Sequence, residues 1–313
     1  MKADRRIFLK HSLAATALLA TQARLPAVEE KMIPVIDTHQ HLWDIKKFKL
    51  NWIKGESPLG RTFSLQDYAE ATEGLNVVKS VYMEVDVAEE QQLAEAEYVT
   101  AICQGGKTTM AAAVVSGRPA SPDFAKYLDH FKGNKFIKGI RQVLHGESTP
   151  SGFCNGPAFV KGVQLLGERG LRYDLCIRGT DLEQTNRLVR ACPGTRLILD
   201  HCGNPDLKNK DHTQWKKGMA EIAKNKNLVV KVSGFIASTT RGAWKVDDLA
   251  PIINHTLDSF GPDRVMFGGD WPVCTLAATY KEWLTALRQV VASRPLEEQK
   301  KLFHDNAASF YGL

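Results

Sequence analysis

Two histidines, His39 and His41, are separated by one residue at the end of a short apolar run. The run covers residues 33–36 and predicts the start of a buried β-strand. Residues i and i+2 of a strand point to the same face, so both imidazoles would lie on one side. Neutral imidazole is the commonest metal ligand, and two on one face can provide two corners of a tetrahedral site. The pair alone fits two hydrogen-bonded histidines equally well, so other residues must decide.

Two further residues that can ligate a metal follow apolar runs later in the chain. His201 comes directly after residues 197–200, and Asp270 comes directly after residues 265–269. Each has a structural explanation when it is considered alone, His201 as a core histidine and Asp270 as a cap of the next segment. Together, three histidines and a carboxylate match the nitrogen and oxygen ligands of zinc. The sequence therefore indicates one metal site, if the fold brings these run ends together.

The remaining chain predicts such a fold. Eight strand-like runs begin near residues 33, 77, 109, 137, 171, 196, 228 and 264, and a helix-like segment follows each. This alternation predicts an α/β fold, a (β/α)8 TIM barrel with C-terminal helices at about 278–292 and 296–311. Functional residues of such barrels lie at the C-terminal ends of the strands. A doubly wound sheet is the alternative, but it normally needs a glycine-rich phosphate-binding turn, which the sequence lacks.

Local signals give the starts of several helices and the polar ends of the other strands. Ser64 and Asp181 are predicted to cap helices, and Ser121-Pro122-Asp123 predicts a helix with proline at its first position. The polar residues at the remaining strand ends are Glu84, Arg141, His145, Asp174, Arg178 and Ser233.

Four stretches of the chain resemble the amidohydrolase superfamily, in particular its lactonase-like group of fuconolactonases, rhamnonolactonases and pyrone-dicarboxylate lactonases. They are residues 36–44 (IDTHQHLWD), 138–144 (KGIRQVL), 199–205 (LDHCGNP) and 265–273 (VMFGGDWPV). The ending, residues 306–313 (NAASFYGL), is also similar. The resemblance implies a hydrolase of carboxylic esters that opens a lactone ring, with a sugar lactone as its small-molecule substrate.

The resemblance also bears on the metal. Superfamily members with two ions carry a modified lysine on the fourth strand and a histidine at the end of the fifth. Here the fifth strand has no histidine, and Lys138 lies early in the fourth strand. We therefore expect one divalent ion, Zn²⁺, held by His39, His41, His201 and Asp270. A metal-free site is the alternative, since some members of the lactonase-like group resemble this pattern without a tightly held ion.

In this interpretation Asp270 and His201 are the catalytic residues. Asp270 takes a proton from water and returns it to the leaving alkoxide, and the ion polarises the carbonyl or activates the water. Arg141 is a forked donor for a carboxylate or sugar hydroxyls, with a structural ion pair as its alternative role. His145, Arg178 and Trp52 are further candidates for substrate binding, and Trp52 or Trp271 could stack on a sugar ring.

Two other functions stay open from the sequence. A metal-dependent decarboxylase of the same superfamily would use the same ligands but would bind its substrate directly to the metal. A non-catalytic, exported sugar-binding barrel would need no intact ligand set, and this chain has one. The 313 residues carry a net charge of +6 without a basic, aromatic stripe, so nucleic acid is not an expected partner. Formation of a homo-oligomer is left open.

The first 27 residues predict an export signal. Arg5-Arg6-Ile7-Phe8-Leu9-Lys10 resembles the twin-arginine motif, and an apolar stretch and small residues follow up to Ala27. A basic amphipathic helix is the alternative. We expect recognition by the export machinery and a periplasmic domain at 28–313 without stable membrane insertion, because the apolar stretch is shorter than the about 20 residues that span a bilayer. The six widely spaced cysteines predict buried thiols rather than a disulfide framework.

Overall fold

Eight parallel strands form the centre of the molecule, in a computed structural model that describes residues 32–146 and 148–313. Each strand pairs with its neighbour in the sequence, in the order β1 to β8. The predicted signal peptide lies outside the described residues. The strands are β1 (Val35–Gln40), β2 (Val77–Met83), β3 (Met110–Ser116), β4 (Ile137–Val143), β5 (Arg172–Cys176), β6 (Leu197–Leu199), β7 (Leu228–Val232) and β8 (Val265–Phe267).

The first and last strands meet beside the histidine pair. The backbone N–H of Asp270 donates to the carbonyl of His39 at 2.7 Å, and that of His41 donates to Trp271 at 2.7 Å. The Thr38 hydroxyl donates to the carbonyl of Phe267 at 2.6 Å. These bonds join β1 to β8 and confirm the predicted (β/α)8 barrel.

A helix follows each strand and covers the outside of the barrel. The helices are α1 (Leu65–Thr72), α2 (Gln92–Gly105), α3 (Phe124–Asp129), α4 (Pro157–Glu168), α5 (Leu182–Ala191), α6 (Thr213–Ile222), α7 (Val246–Phe260), α8 (Tyr280–Val291), α9 (Leu296–Lys300) and α10 (Asn306–Tyr311). A π-helical turn at Lys301–Asp305 joins α9 to α10, so the segment predicted as one helix at 296–311 is not continuous α-helix.

The local predictions have mixed outcomes. Ser64 caps α1, where it and Asp67 form a capping box, as the sequence predicted. The helix start at Ser121-Pro122-Asp123 is wrong, because the N–H of Phe124 bonds the Ser121 carbonyl in a turn and α3 begins only at Phe124. Asp181 stands at the N-cap of α5, but its carboxylate accepts hydrogen bonds from Ser151 and Arg178 instead of capping the helix.

Helix α10 closes the N-terminal end of the barrel. Phe310 and Tyr311 belong to one apolar cluster with the inward-facing residues of five strands. The carbonyl of Phe310 accepts a hydrogen bond from Nε of Arg172, the first residue of β5, at 3.0 Å. The C-terminal end of the barrel therefore remains as the open end. All six cysteines are free and buried, which confirms the prediction of buried thiols. Among the described residues, no helix combines the length and the apolar character needed to cross a membrane.

Candidate active site and metal centre

The His39 and His41 rings lie together at the C-terminal end of β1. Their centroids are 4.9 Å apart, and His39 is completely buried. Nδ1 of His41 lies 2.9 Å from the carbonyl oxygen of Met83. Because a carbonyl only accepts, Nδ1 carries the proton, which leaves the Nε2 lone pair of His41 free for a ligand. That Nε2 lies 3.2 Å from Oδ1 of Asp270.

His201 approaches the same point from the loop after β6. Its ring centroid lies 4.5 Å from that of His39, and its Nδ1 lies 2.9 Å from the Ser233 hydroxyl. The backbone of His201 has φ +57°, a left-handed conformation that is uncommon outside glycine. Gly234 packs directly against the ring, and a Cβ at that position would collide with the imidazole. The turn after β7 is therefore shaped to fit His201.

Asp270 follows β8 and is also held in a left-handed conformation, with φ +52°. Its Oδ1 lies 3.5 Å from Nε2 of His39. The preceding turn is fixed by Asp37, whose Oδ1 accepts the N–H of Gly269 at 2.7 Å and whose Oδ2 accepts the Tyr68 and Tyr280 hydroxyls at 2.9 and 3.1 Å. A Cβ on Gly269 would meet the ring of Tyr280. Uncommon backbone angles at two candidate ligands agree with a functional constraint.

The donor set fits a divalent metal. Ligand atoms of His39, His201 and Asp270 all lie within 4.8 Å of one another. Ligands about 2.0–2.1 Å from a tetrahedral zinc stand roughly 3.3 Å apart, close to the 3.2 and 3.5 Å between Asp270 and the two β1 histidines. Burial lowers the pKa of His39 and of His201, so both rings stay neutral and keep the lone pairs that a metal needs.

The Arg141 side chain reaches this cluster from β4, but most of its guanidinium N–H groups already have partners within the protein. Its Nε donates to Oε1 of Glu84 at 2.6 Å and its Nη2 donates to the Glu84 carbonyl at 2.7 Å. Nη1 lies 3.3 Å from Nε2 of His39, a contact that a metal on this nitrogen would replace. Burial alone would raise the pKa of Glu84, but Arg141 outweighs it and holds that pKa below its usual range. Arg141 therefore forms a structural ion pair with Glu84, which was the alternative role considered for it from the sequence.

A buried lysine lies beneath the histidines. Lys231 of β7 is completely buried, and its ammonium contacts the carboxylates of Asp174 and Asp200, the latter at 3.1 Å. It also lies 3.5 Å from Nδ1 of His39. Burial disfavours the charged lysine, but the two carboxylates outweigh it and raise the pKa of Lys231. Lys231 therefore stays protonated inside the barrel.

The buried charges around the site do not balance. Two permanent cations, Arg141 and Lys231, face four buried carboxylates, those of Glu84, Asp174, Asp200 and Asp270. Burial raises the pKa of Asp174 to about 7, so this group binds a proton more readily than the others. With Asp174 and the histidines neutral and the other three carboxylates ionised, negative charge exceeds positive charge by one. A buried excess of negative charge favours a bound cation.

A pocket of about 430 Å³ opens above this cluster. His41, Arg141, His201 and Asp270 line its floor, and Trp52 and His145 lie at exposed positions of its wall. The structure thus brings most of the predicted site residues to one pocket.

Three predicted residues do not line this pocket: His39, which is completely buried within the cluster, Arg178 and Trp271. Arg178 does not line this pocket, because its guanidinium is bound to Asp181 at 2.8 Å and to the carbonyls of Gly146 and Thr149. Trp271 is buried against Phe63 and Tyr68, so it is a core residue rather than a stacking surface. Lys138 is the second residue of β4, at the end away from the pocket, as predicted.

Sequence reasoning missed two residues that hold the site together. Lys231 interrupts the apolar run of β7, a signal visible in the sequence as a lysine among valines. Asp37 lies within the histidine motif itself, but its four hydrogen bonds reach α1, α8 and the Gly269 turn, which no local pattern indicates.

Three known proteins are similar to this chain over most of its length. An L-fucono-1,5-lactonase of Burkholderia multivorans is 28% identical over 291 residues, covering 89% of this chain and 96% of that protein. An L-rhamnono-gamma-lactonase of Scheffersomyces stipitis is 22% identical, covering 89% and 98%. The crystal structure of an amidohydrolase from Burkholderia multivorans with bound zinc superimposes with a TM-score of 0.81 at 25% identity, covering 90% of this chain and 99% of that one. The amidohydrolase family model matches residues 36–313, and the chain therefore belongs to the amidohydrolase family.

Proposed function

We propose that the protein hydrolyses a lactone, with a sugar-acid lactone as the class to assay first. The observation that carries the proposal is the meeting of His39, His201 and Asp270 within 4.8 Å of one another, with His41, His201 and Asp270 on the floor of the 430 Å³ pocket. The two lactonases similar to this chain act, by their names, on L-fucono-1,5-lactone and L-rhamnono-gamma-lactone. A lactone is an ester, so its opening needs an activated water, a base and a proton for the leaving alkoxide.

Asp270 is the proposed base. It lies at the floor of the pocket and is only 4% exposed, so its carboxylate can take a proton from a water held there. It then returns the proton to the alkoxide as the ring opens. His201 is kept in place by Ser233 and Gly234, so its ring presents a fixed face to the substrate carbonyl. In this proposal Arg141 does not bind the substrate. It pairs with Glu84 and contacts the His39 ring instead.

A single divalent ion, zinc, would be held by His39, His41, His201 and Asp270. When bound, it would supply Lewis-acid polarisation of the lactone carbonyl and a lowered pKa for a bound water. The buried excess of carboxylates and the zinc in the similar crystal structure support this assignment.

The test is a screen of aldonolactones with a pH indicator, combined with Asp270→Asn. The amide keeps the shape of the side chain but cannot accept the proton of water at neutral pH. General acid–base catalysis accelerates a reaction by roughly 10²–10⁴-fold, so kcat should fall by at least about 100-fold. Asp247→Asn, an exposed change on α7, is the matched control and should keep normal turnover.

Near-normal turnover of a folded Asp270→Asn protein would show that Asp270 is not the base, and the mechanism proposed here would then be wrong. The same assay separates the decarboxylase alternative, because ring opening yields a hydroxy acid of unchanged carbon count whereas decarboxylation releases carbon dioxide.

A further inference from the structure

The wall of the pocket is apolar on one side of the barrel. The loops after β7, β8, β1 and β2, which are neighbours around the closed sheet, contribute large apolar side chains to it. We call these residues the apolar sector: Trp43, Trp52, Val85, Phe235, Val273 and Leu276. The opposite side carries the polar residues His145 and Asn204 together with the smaller apolar residues Val143, Cys176 and Pro205. The tryptophan and phenylalanine side chains of the pocket therefore lie on one side of it, where the polar residues Asp86 and Ser238 are also present.

Hydrogen bonds hold the apolar sector in its shape. The indole N–H of Trp52 donates to the carbonyl of Val85 at 2.7 Å, which ties the loop after β1 to the end of β2. The indole N–H of Trp244 donates to the carbonyl of Ala277 at 3.0 Å, which ties the chain beyond β7 to that beyond β8. The sector is thus formed before a substrate arrives, and its surface does not need to be ordered on binding.

Several polar groups of the pocket wall already have partners within the protein. Asp86 pairs with Arg118 at 3.3 Å, the Asn204 amide donates to the carbonyl of Ile177 at 2.6 Å, and the Ser238 hydroxyl donates to that of Phe235 at 2.7 Å. A hydroxyl buried without a partner costs about 1–3 kcal/mol. A lactone with hydroxyls on every ring carbon would have to bury some of them against the apolar sector.

The sector also reaches the mouth of the pocket. Trp52 is 37% exposed and Leu276 is 38% exposed, and both line the pocket. A δ-lactone with a five-carbon alkyl chain has about twelve heavy atoms, and at a water's share of about 30 Å³ each they would fill about 360 Å³. The 430 Å³ cavity can therefore hold the ring together with such a substituent.

We propose that the substrate is a lactone with a hydrocarbon substituent, alkyl or aryl, which lies against the apolar sector while the ring carbonyl faces Asp270. The inference rests on the proposed lactonase function and replaces the sugar-acid lactone, the class to assay first, with a hydrocarbon-substituted lactone as the preferred substrate. Trp52 and Leu276 determine the specificity, because they contact the part of the substituent nearest the mouth. Each buried CH₂ group contributes about 0.8 kcal/mol, so a short alkyl chain is enough for a large preference.

The test compares three substrates of the whole protein: an unsubstituted δ-lactone, the same ring with a five-carbon alkyl chain, and a hexonolactone. We expect kcat/KM for the alkyl lactone to exceed both others by at least about tenfold. Leu276→Ser and Trp52→Ala should each lower kcat/KM for the alkyl lactone by at least about tenfold more than kcat/KM for the unsubstituted ring, which removes most of this preference. Leu296→Ser, an exposed change on α9, is the matched control and should keep the preference.

A hexonolactone opened as fast as the alkyl lactone would overturn the inference and leave the lactonase function intact. So would a Leu276→Ser protein that loses activity equally on both δ-lactones. If no lactone is opened, the proposed function fails, and calorimetry with alkyl-substituted and unsubstituted δ-lactams then decides the inference. At least about tenfold tighter binding of the alkyl lactam supports the apolar sector as the substituent site, and equal affinity overturns it.

Discussion

At the residue scale, the site depends on charged side chains that are buried away from water. The ammonium of Lys231 lies between Asp174 and Asp200 and beside His39, and all four residues are completely buried. A buried charge is tolerated only when its partners are present, so the loss of one member destabilises the whole network. Lys231 therefore positions His39 from below through Asp200. Burial would raise the pKa of Asp200, but the charges around it, with that of Lys231 foremost, hold it well below its usual range.

Lys231→Met should destabilise the protein strongly, because it leaves two carboxylates buried without their cation. Removing one partner of a buried pair costs about 3–5 kcal/mol in the free energy of unfolding, which urea denaturation measures. Lys79→Met, at a half-buried position of β2, is the matched control and should change the free energy by at most about 0.5 kcal/mol.

The double variant Lys231→Met/Asp174→Asn should recover part of the loss, since one of the unpaired charges is removed. A loss below about 1 kcal/mol for Lys231→Met alone would show that the network does not support the barrel interior.

The sequence gives the residue types of the site but not all of their partners. His39, His41, His201 and Asp270 could be identified because each follows an apolar run, and the barrel then gathers the run ends. The engagement of Arg141 with Glu84 could not be predicted, because it depends on the register between strands and on the direction of one side chain. Their roles in chemistry remain predictions.

At the element scale, the short strands matter most. β6 ends at Leu199 and β8 ends at Phe267, earlier than the apolar runs suggest, and the chain then turns with positive φ at His201 and Asp270. Periodicity shows where a strand begins, but it does not show where tertiary contacts bend the chain away from the sheet. These bends aim both side chains at the pocket instead of along the barrel wall.

Gly234→Ala should displace His201, because the added Cβ would occupy the place of the imidazole. We expect lower metal occupancy and a fall in kcat of at least about tenfold, corresponding to about 1.4 kcal/mol of lost stabilisation. Gly242→Ala is a matched control, since its φ of +75° imposes a similar backbone strain but nothing lies within 4 Å of the new Cβ. If both variants lose activity equally, backbone strain rather than the position of His201 is responsible.

At the scale of the whole molecule, one end of the barrel contributes to stability and the other end carries the candidate site. Helix α10 seals the N-terminal end with Phe310 and Tyr311, whereas the C-terminal end carries the ligands and the pocket. This division is the general rule for (β/α)8 barrels, which is why eight alternating runs were enough to predict the fold and the location of the site. The shape of the pocket wall could not be predicted, because loops after six strands build it.

The metal assignment predicts about one zinc per chain in the purified protein. His39→Ala or His201→Ala should lower the zinc content measured by elemental analysis, because each removes a nitrogen from the ligand set. His130→Ala, at an exposed position after α3, is the matched control and should keep full occupancy. Full lactonase activity after exhaustive chelation, with no metal detected, would favour the metal-free alternative.

We propose that the chain reaches the periplasm by the twin-arginine route, which carries folded proteins and would let the barrel bind its metal before export. The proposal rests on Arg5-Arg6 and the apolar stretch that follows. Replacing both arginines with lysine keeps the charge but removes the motif, so precursor should accumulate in the cytoplasm, as fractionation and immunoblotting would show. Arg24→Lys, outside the motif, should leave export unchanged. Normal export of the double variant would exclude this route.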